Sequence, residues 1–95
     1  MKGYWIAIYK KIENKDNLGN YGKLATAAIV AHGGKALVRG GKYESLEGND
    51  IPRTVIWEFE SYDAAITCYH SKEYQDAWAL AKATTVRDLE IVEGV

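Results

Sequence analysis

The chain of 95 residues has very little cysteine, proline or methionine, with one residue of each. The single cysteine, Cys68, excludes an intrachain disulfide and a zinc site built from several cysteines, and it fits a reducing compartment. No apolar run approaches the roughly 18 residues of a membrane-spanning helix. The six apolar residues that follow Lys2-Gly3 are too few for the core of a signal peptide. We therefore predict a soluble protein of the cytoplasm.

The sequence also lacks an excess of either charge. Twelve Lys and Arg residues oppose thirteen Asp and Glu residues, which leaves a net charge of −1. Such a chain has no strong field to attract phosphate backbones or anionic lipids. The strand-like segment 35–41 has no aromatic residue where an RNA-recognition domain would need one for stacking. We expect neither a nucleic-acid partner nor a membrane partner.

The chain does have strand-like segments that are apolar on both faces. In the segment 4–9 the even positions are Tyr, Ile and Ile, and the odd positions are Trp, Ala and Tyr. Because side chains alternate between the two faces of a strand, neither face suits water. A chain of this length has enough helix to cover only one face of a sheet. We therefore expect a second copy of the chain to cover the other face, as a homodimer.

The order of predicted elements indicates the fold class. Cap-type residues and glycines mark the boundaries of the helices, and alternating apolar residues mark the strands. The expected elements are a strand at 4–9, a helix between Asn14 and Gly33, strands at 35–43 and 54–59, a helix that begins at Ser61 and breaks near Ser71, and a strand at 88–92. This βαββαβ order predicts one ferredoxin-like α+β domain over residues 1–95, with an antiparallel sheet and both helices on one face.

Arg39 is a charged residue in the middle of a predicted strand. Simple alternation places it on the same face as Leu37 and Gly41, the face that a second copy would cover, and a charge there requires a counter-charge. One interpretation is a structural ion pair with Glu58. The other is that the planar guanidinium binds a carboxylate or an enolate-like oxygen of a small ligand. The sequence leaves both open.

Two histidines are the side chains that titrate near neutral pH. His32 falls at the end of the first predicted helix, where the helix dipole favours its charged form, so a capping role explains it. It is also a candidate general base, as is Glu58. Neither His32 nor His70 has a carboxylate or cysteine at ligand spacing, and we expect no metal.

The chain is rich in aromatic residues for its length. Most are expected to fill the core and the interface. Together with Arg39, some of them are expected to line a pocket for a small molecule between the sheet and the helices. The aromatic residues that we assign to this pocket are Trp5, Tyr9, Trp57 and Tyr74.

Six segments carry a resemblance to a known family. They are Lys2–Ala7, Gly33–Gly41, Leu46–Gly48, Trp57–Phe59, Tyr69–Gln75 and Ile91–Gly94. Over nearly the whole chain the sequence resembles a widespread bacterial family of uncharacterised function, domain of unknown function 1330. The resemblance implies the dimeric α/β-barrel superfamily, in which two ferredoxin-like sheets pack face to face. Relatives there include cofactor-free monooxygenases, lactone isomerases and haem-dependent chlorite dismutases.

The family pattern also selects residues of this chain, although it assigns them no role. These residues are Arg39, Glu47, Gly48, Glu58, Ser71 and Tyr74. The chain departs from the pattern at His32, where the family commonly has an aromatic residue, and at 14–21, which lacks the usual acidic-proline helix start. No histidine with a supporting shell for haem is evident, and we expect no cofactor.

The sequence supports two functions of different classes. One is a protein that binds or transforms a small oxygen-bearing organic molecule, with Arg39 on an anionic oxygen and His32 or Glu58 as a base. The alternative is a non-catalytic dimeric module in which the charged and aromatic residues are only structural. Fold-level kinship does not decide between them.

Overall fold

The computed structural model describes residues 1–95 and confirms the predicted order of elements. The elements are strand β1 (Gly3–Ile12), helix α1 (Lys15–Ala31), strands β2 (Lys35–Arg39) and β3 (Arg53–Phe59), helices α2 (Tyr62–His70) and α3 (Lys72–Ala79), a 3₁₀ turn (Lys82–Thr84) and strand β4 (Thr85–Glu93). The first and last strands are longer than predicted, and β2 is shorter. No helix is long and apolar enough to cross a membrane.

The four strands form one antiparallel sheet in the order β2-β3-β1-β4. The helices pack on one face of this sheet, where Trp5, Ala7 and Tyr9 of β1 and Val55 and Trp57 of β3 are buried. The fold is thus the predicted ferredoxin-like α+β arrangement, the protomer fold of dimeric α/β barrels.

The core between the sheet and the helices is built largely from aromatic rings. Trp5 and Tyr74 are fully buried, and their ring centroids lie 4.7 Å apart in an edge-to-face arrangement. Trp5 also stacks on Phe59, with centroids 5.9 Å apart. Such pairs stabilise a fold by about 0.5–1.5 kcal/mol beyond the area that they bury. This packing ties α3 to the central strands.

The opposite face of the sheet is apolar and uncovered. Ile6, Ile8 and Ile56 point to this face and are only half-buried, because nothing of the same chain packs on them. The two-faced apolar pattern of the strands is therefore present in the structure.

Polar caps and a glycine mark the boundaries of the helices where the sequence predicts them. The Asn14 side chain accepts a hydrogen bond from the Asn17 amide at the start of α1. Gly33, after the end of α1, has a φ of 86°, which favours glycine. Ser71 lies at the predicted break and separates α2 from α3.

A bulge in β2 corrects the expected orientation of Arg39. Ala36 pairs with Trp57, but Val38 pairs with Ile56 and the register shifts between them. Leu37 is the extra residue, so the alternation changes phase and Arg39 pairs with Val55 on the helix-covered face. The expectation that Arg39 points to the uncovered face is therefore wrong.

Candidate functional site

A small cavity lies between the helix-covered face of the sheet and α1. Its volume is about 50 Å³. Its walls come from all four strands and from α1, and they are mainly apolar and aromatic with three arginines. The residues that line it are Trp5, Ala7, Tyr9, Tyr21, Gly22, Ala25, Thr26, Arg39, Arg53, Val55, Trp57 and Arg87.

Strand register brings two of these arginines to either side of one tyrosine. Tyr9 of β1 pairs with Arg53 of β3 and with Arg87 of β4. Paired residues on neighbouring strands point to the same face, and strands lie about 4.8 Å apart. The row Arg53, Tyr9, Arg87 therefore crosses the sheet at one end of the cavity, and Arg39 lies one strand beyond Arg53.

Arg87 is held by three phenolic hydroxyl groups. Its Nη1 donates to the hydroxyl oxygens of Tyr9, at 3.2 Å, and Tyr21, at 3.1 Å. Its Nη2 donates to Tyr74 at 2.6 Å. The guanidinium carbon also lies 3.6 Å from the ring centroid of Trp78, a cation–π contact. β4 is thereby linked to β1, α1 and α3 through one side chain.

The cluster is ionised at Arg87 and neutral at Tyr21 and Tyr74. Burial raises the pKa of Tyr74 and of Tyr21 above the ordinary value of a phenol. Burial opposes the charge on Arg87, but the surrounding tyrosines more than offset it, and the pKa of Arg87 lies above its ordinary value. At neutral pH the site therefore carries a buried positive charge among phenol groups.

The cluster around Arg87 contains more hydrogen-bond donors than its own acceptors satisfy. The hydroxyl groups of Tyr21 and Tyr74 lie 2.7 Å apart, and one of the two donates to the other. The Tyr9 hydroxyl accepts from Arg87 and has no acceptor for its own hydrogen. A guanidinium has five N–H groups, of which Arg87 uses three. The unused groups suit a ligand atom that accepts hydrogen bonds.

No carboxylate neutralises the arginines of the cavity. The four ion pairs of the structure all use lysines, and no aspartate or glutamate lines the cavity. Charged groups placed together without a counter-charge are costly in a partly buried site. The arrangement is therefore complementary to a small anion, with an aromatic surface beside it.

Four of the five residues that the sequence assigns to the pocket line this cavity. They are Trp5, Tyr9, Arg39 and Trp57. Tyr74 lies behind the wall, where its hydroxyl bonds Arg87 and Tyr21. That these residues bind a substrate stays a prediction, but the structure does bring them together.

The two predicted catalytic residues do not line the cavity. His32 follows α1, and its Nδ1 lies 2.8 Å from the carbonyl oxygen of Ala28, the capping position expected from its place in the sequence. Glu58 is on the uncovered face of the sheet and accepts a hydrogen bond from the Tyr4 hydroxyl at 3.0 Å. Arg39 is on the other face, so the Arg39–Glu58 ion pair is not formed within the chain.

Sequence reasoning missed Arg87, Arg53 and Tyr21. The predicted last strand began at residue 88, but β4 begins at Thr85, and Thr85, Arg87, Leu89 and Ile91 alternate on its inner face. The signal that the sequence offered was Arg87, a charged residue in a series that otherwise faces the core.

The structure brings together no group of three or more His, Cys, Asp or Glu side chains that would hold a metal.

Solved structures with this fold come from proteins of different kinds. A protein of unknown function from Rhodopseudomonas palustris has a TM-score of 0.81 at 15% identity, over 99% of this chain and 82% of that one. A dimeric ferredoxin-like protein of unknown function from Jannaschia sp. has a TM-score of 0.67 at 10% identity, over 99% and 100%. SnoaB, a cofactor-independent oxygenase from Streptomyces nogalater, has a TM-score of 0.62 at 6% identity, over 99% and 93%. These similarities show the fold.

No curated protein sequence matches the chain. The resemblance noted in the sequence is confirmed at the level of the family. The domain of unknown function DUF1330 matches residues 2–95, and the chain therefore belongs to that family.

Proposed function

We propose that the protein binds a small organic molecule with an anionic oxygen in the cavity between the sheet and α1. The observation that carries this proposal is the set of three arginines in one aromatic-walled cavity that contains no carboxylate. Arg39 and Arg53 form no ion pair or side-chain hydrogen bond within the chain, and their donors are free for a ligand oxygen. A guanidinium fork binds both oxygens of a carboxylate.

We propose further that the protein is a homodimer in which the uncovered sheet face is the interface. The half-buried Ile6, Ile8 and Ile56 give this face an apolar centre, and Val86 and Val92 are exposed beside it. The Jannaschia protein with the same fold is described as dimeric. A second sheet packed on this face would bury these side chains, and each Å² of apolar surface buried would stabilise the dimer by about 25 cal/mol.

The cavity supports binding of a ligand more directly than it supports a reaction. SnoaB, which has the same fold, is an oxygenase without a cofactor. In this chain, however, the cavity wall contains no histidine, aspartate or glutamate. Burial raises the pKa of Tyr21, so this phenol of the wall stays protonated at neutral pH and does not supply a base. Transformation of the bound molecule would need a base from outside this wall; of the groups that the sequence nominates, His32 caps the end of α1 and Glu58 lies on the opposite face of the sheet.

A structural module is the second candidate, and one observation favours it. The three hydroxyl partners of Arg87 already tie β4 to β1, α1 and α3, which is a sufficient structural role for that residue. Arg39 and Arg53 have no comparable role. The two candidates therefore differ most sharply in what they require of those two arginines.

A thermal-shift screen with matched pairs tests the proposed function. Carboxylates such as benzoate and hexanoate are compared with benzamide and hexanamide, which have the same shape without the charge. Ligands that bind only the folded state raise the melting temperature by mass action. We expect the carboxylates to raise it and the amides not to. If no small organic acid, lactone, phenol or quinone raises the melting temperature of the dimer, the structural module is favoured instead.

A further inference from the structure

The cavity is too small to hold an organic acid much larger than acetate. Its volume is about 50 Å³, and one water-sized position needs about 10–15 Å³ of such a volume. It therefore holds about four such positions, enough for a carboxylate and the carbon next to it. A larger ligand must extend out of the cavity.

A wider groove adjoins the cavity at the start of α1. Its volume is about 440 Å³, and it shares Gly22 and Arg53 with the wall of the cavity. The groove runs between the first turns of α1 and the loop that joins β2 to β3. It is lined by Ile12, Lys15, Leu18, Gly19, Gly22, Gly40, Gly41, Pro52 and Arg53.

Gly22 is at the junction of the two spaces. A glycine inside a helix costs about 1 kcal/mol relative to alanine, and α1 contains two, Gly19 and Gly22. A Cβ atom added at Gly22 would meet no atom within 4 Å, so close packing of the chain does not require glycine there. The missing side chain instead leaves free space where the walls of the groove and the cavity meet.

We infer that the ligand is an organic acid in two parts, with its carboxylate in the arginine-lined cavity and an apolar body in the groove, and that Gly22 sets what passes between them. The inference rests on the proposed function and names its ligand class. Ile12, Leu18 and Pro52 give the groove apolar surface for such a body. Arg53, which both spaces share, lies beside the carboxylate end.

A series of straight-chain carboxylates tests the two-part ligand. Acetate, butanoate and hexanoate are titrated into ¹⁵N-labelled protein, and dissociation constants are taken from the amide shifts. Burial of one methylene is worth about a fourfold gain in affinity. We expect hexanoate to bind at least tenfold more tightly than acetate, with amide shifts at both Arg87 and Leu18. Equal affinity along a series that does bind would overturn the two-part ligand and leave the proposed function standing.

Gly22→Ala and Asn20→Ala form a matched pair for the junction. Both place alanine, the residue of highest helix propensity, in α1, and a Cβ atom has open space at Gly22, so both variants are expected to melt at higher temperature than the parent. Gly22 lines both the cavity and the groove, whereas the exposed Asn20 lines neither. We expect Gly22→Ala to weaken hexanoate at least tenfold and Asn20→Ala to weaken it less than threefold. An equal effect of the two variants would overturn the role of Gly22. Absence of binding by every carboxylate to the parent protein would instead contradict the proposed function.

Discussion

At the scale of single residues, the most informative side chain is Arg87. It is a charge on the inner face of a sheet, and its partners are three neutral hydroxyl groups and an indole ring rather than a carboxylate. Hydrogen bonds to charged groups are about twice as strong as those between neutral groups. Arg87 therefore has two roles to distinguish, one in holding four elements together and one in attracting an anion.

Arg87→Met is expected to destabilise the fold. The change removes three hydrogen bonds and leaves buried phenol groups without a donor. We expect the free energy of unfolding to fall by about 2–4 kcal/mol, measured by urea denaturation. The control is Arg53→Met, since Arg53 makes no side-chain hydrogen bond, and its cost should be below about 1 kcal/mol. Equal costs for the two variants would contradict the structural role of Arg87.

The buried thiol of Cys68 predicts that the stability of the fold decreases at alkaline pH. The side chain is buried, and burial raises the pKa of its thiol to about 11. In the unfolded chain a thiol titrates near 8.5, so between these values the unfolded state loses the proton first. This contribution to stability is complete below about pH 8.5 and is lost as the pH rises towards 11.

Alkylation by iodoacetamide measures the same property. At pH 8.5 the folded protein should react at least tenfold more slowly than the protein in denaturant, because it contains little thiolate and the sulfur is buried. Glutathione under the same two conditions is the control for the reagent. Equal rates for folded and unfolded protein would show that Cys68 is accessible and would contradict its placement in the core.

The same scale shows what the sequence could not predict. The abundance of aromatic residues in a short chain predicts a pocket lined by Trp5, Tyr9 and Trp57, and these residues line the cavity. The orientation of Arg39 depended on one extra residue, Leu37, and alternation cannot detect a bulge from composition. Tyr21 was assigned to an apolar helix face, and only the fold brings its hydroxyl to Arg87.

At the scale of elements, local signals predicted the boundaries of the helices well. The cap at Asn14, the glycine after α1 and the serine between α2 and α3 are local features that need no tertiary contact to be recognised. The bounds of β4 were less predictable. Its first residues, Thr85 and Val86, pair with Ile12 and Lys11 beyond a register shift, and that pairing depends on β1 continuing past Tyr9.

Ser71 is the residue on which the helical break depends. Its side chain accepts a hydrogen bond from the Tyr74 amide and donates one to the Cys68 carbonyl oxygen. We expect Ser71→Ala to lower the free energy of unfolding by about 1–2 kcal/mol. Lys72→Ala, which removes only an exposed ion pair with Asp76, is the neighbouring control.

Thermal and urea unfolding of both variants give the comparison. An exposed pair within a helix contributes about 0.3–0.5 kcal/mol, so Lys72→Ala should cost clearly less than Ser71→Ala. If the serine variant is as stable as the parent, the cap does not direct the break, and packing of Tyr74 against Trp5 alone must fix the angle between the helices.

At the scale of the whole molecule, the uncovered sheet face is the proposed dimer interface. The prediction of a dimer came from strands with two apolar faces, and the structure contains that second face with Ile6 next to Ile56 in register. The sheet face and the cavity are on opposite sides of the strands. Dimer formation and ligand binding are therefore separable properties in this account.

Ile56→Glu is expected to give a monomer. A carboxylate in the centre of an apolar interface loses its hydration without a partner and costs several kcal/mol. Light scattering after size exclusion should give the parent protein at twice the 10.6 kDa chain mass and the variant at that mass. Leu24→Glu, at an exposed position on α1, is the matched control and should remain a dimer. A dimeric Ile56→Glu variant would place the interface elsewhere.

The central claim is that the arginine-lined cavity binds an organic anion, and Arg39→Met tests it most directly. Arg39 lines the cavity, is exposed and forms no ion pair, so the fold does not depend on its charge. The measurement is the dissociation constant of hexanoate for parent and variant by NMR titration, with urea unfolding of both. The account predicts affinity at least tenfold weaker, which is about 1.4 kcal/mol, and stability within about 0.5 kcal/mol of the parent. Unchanged affinity, or a loss of dimer stability in its place, would contradict it.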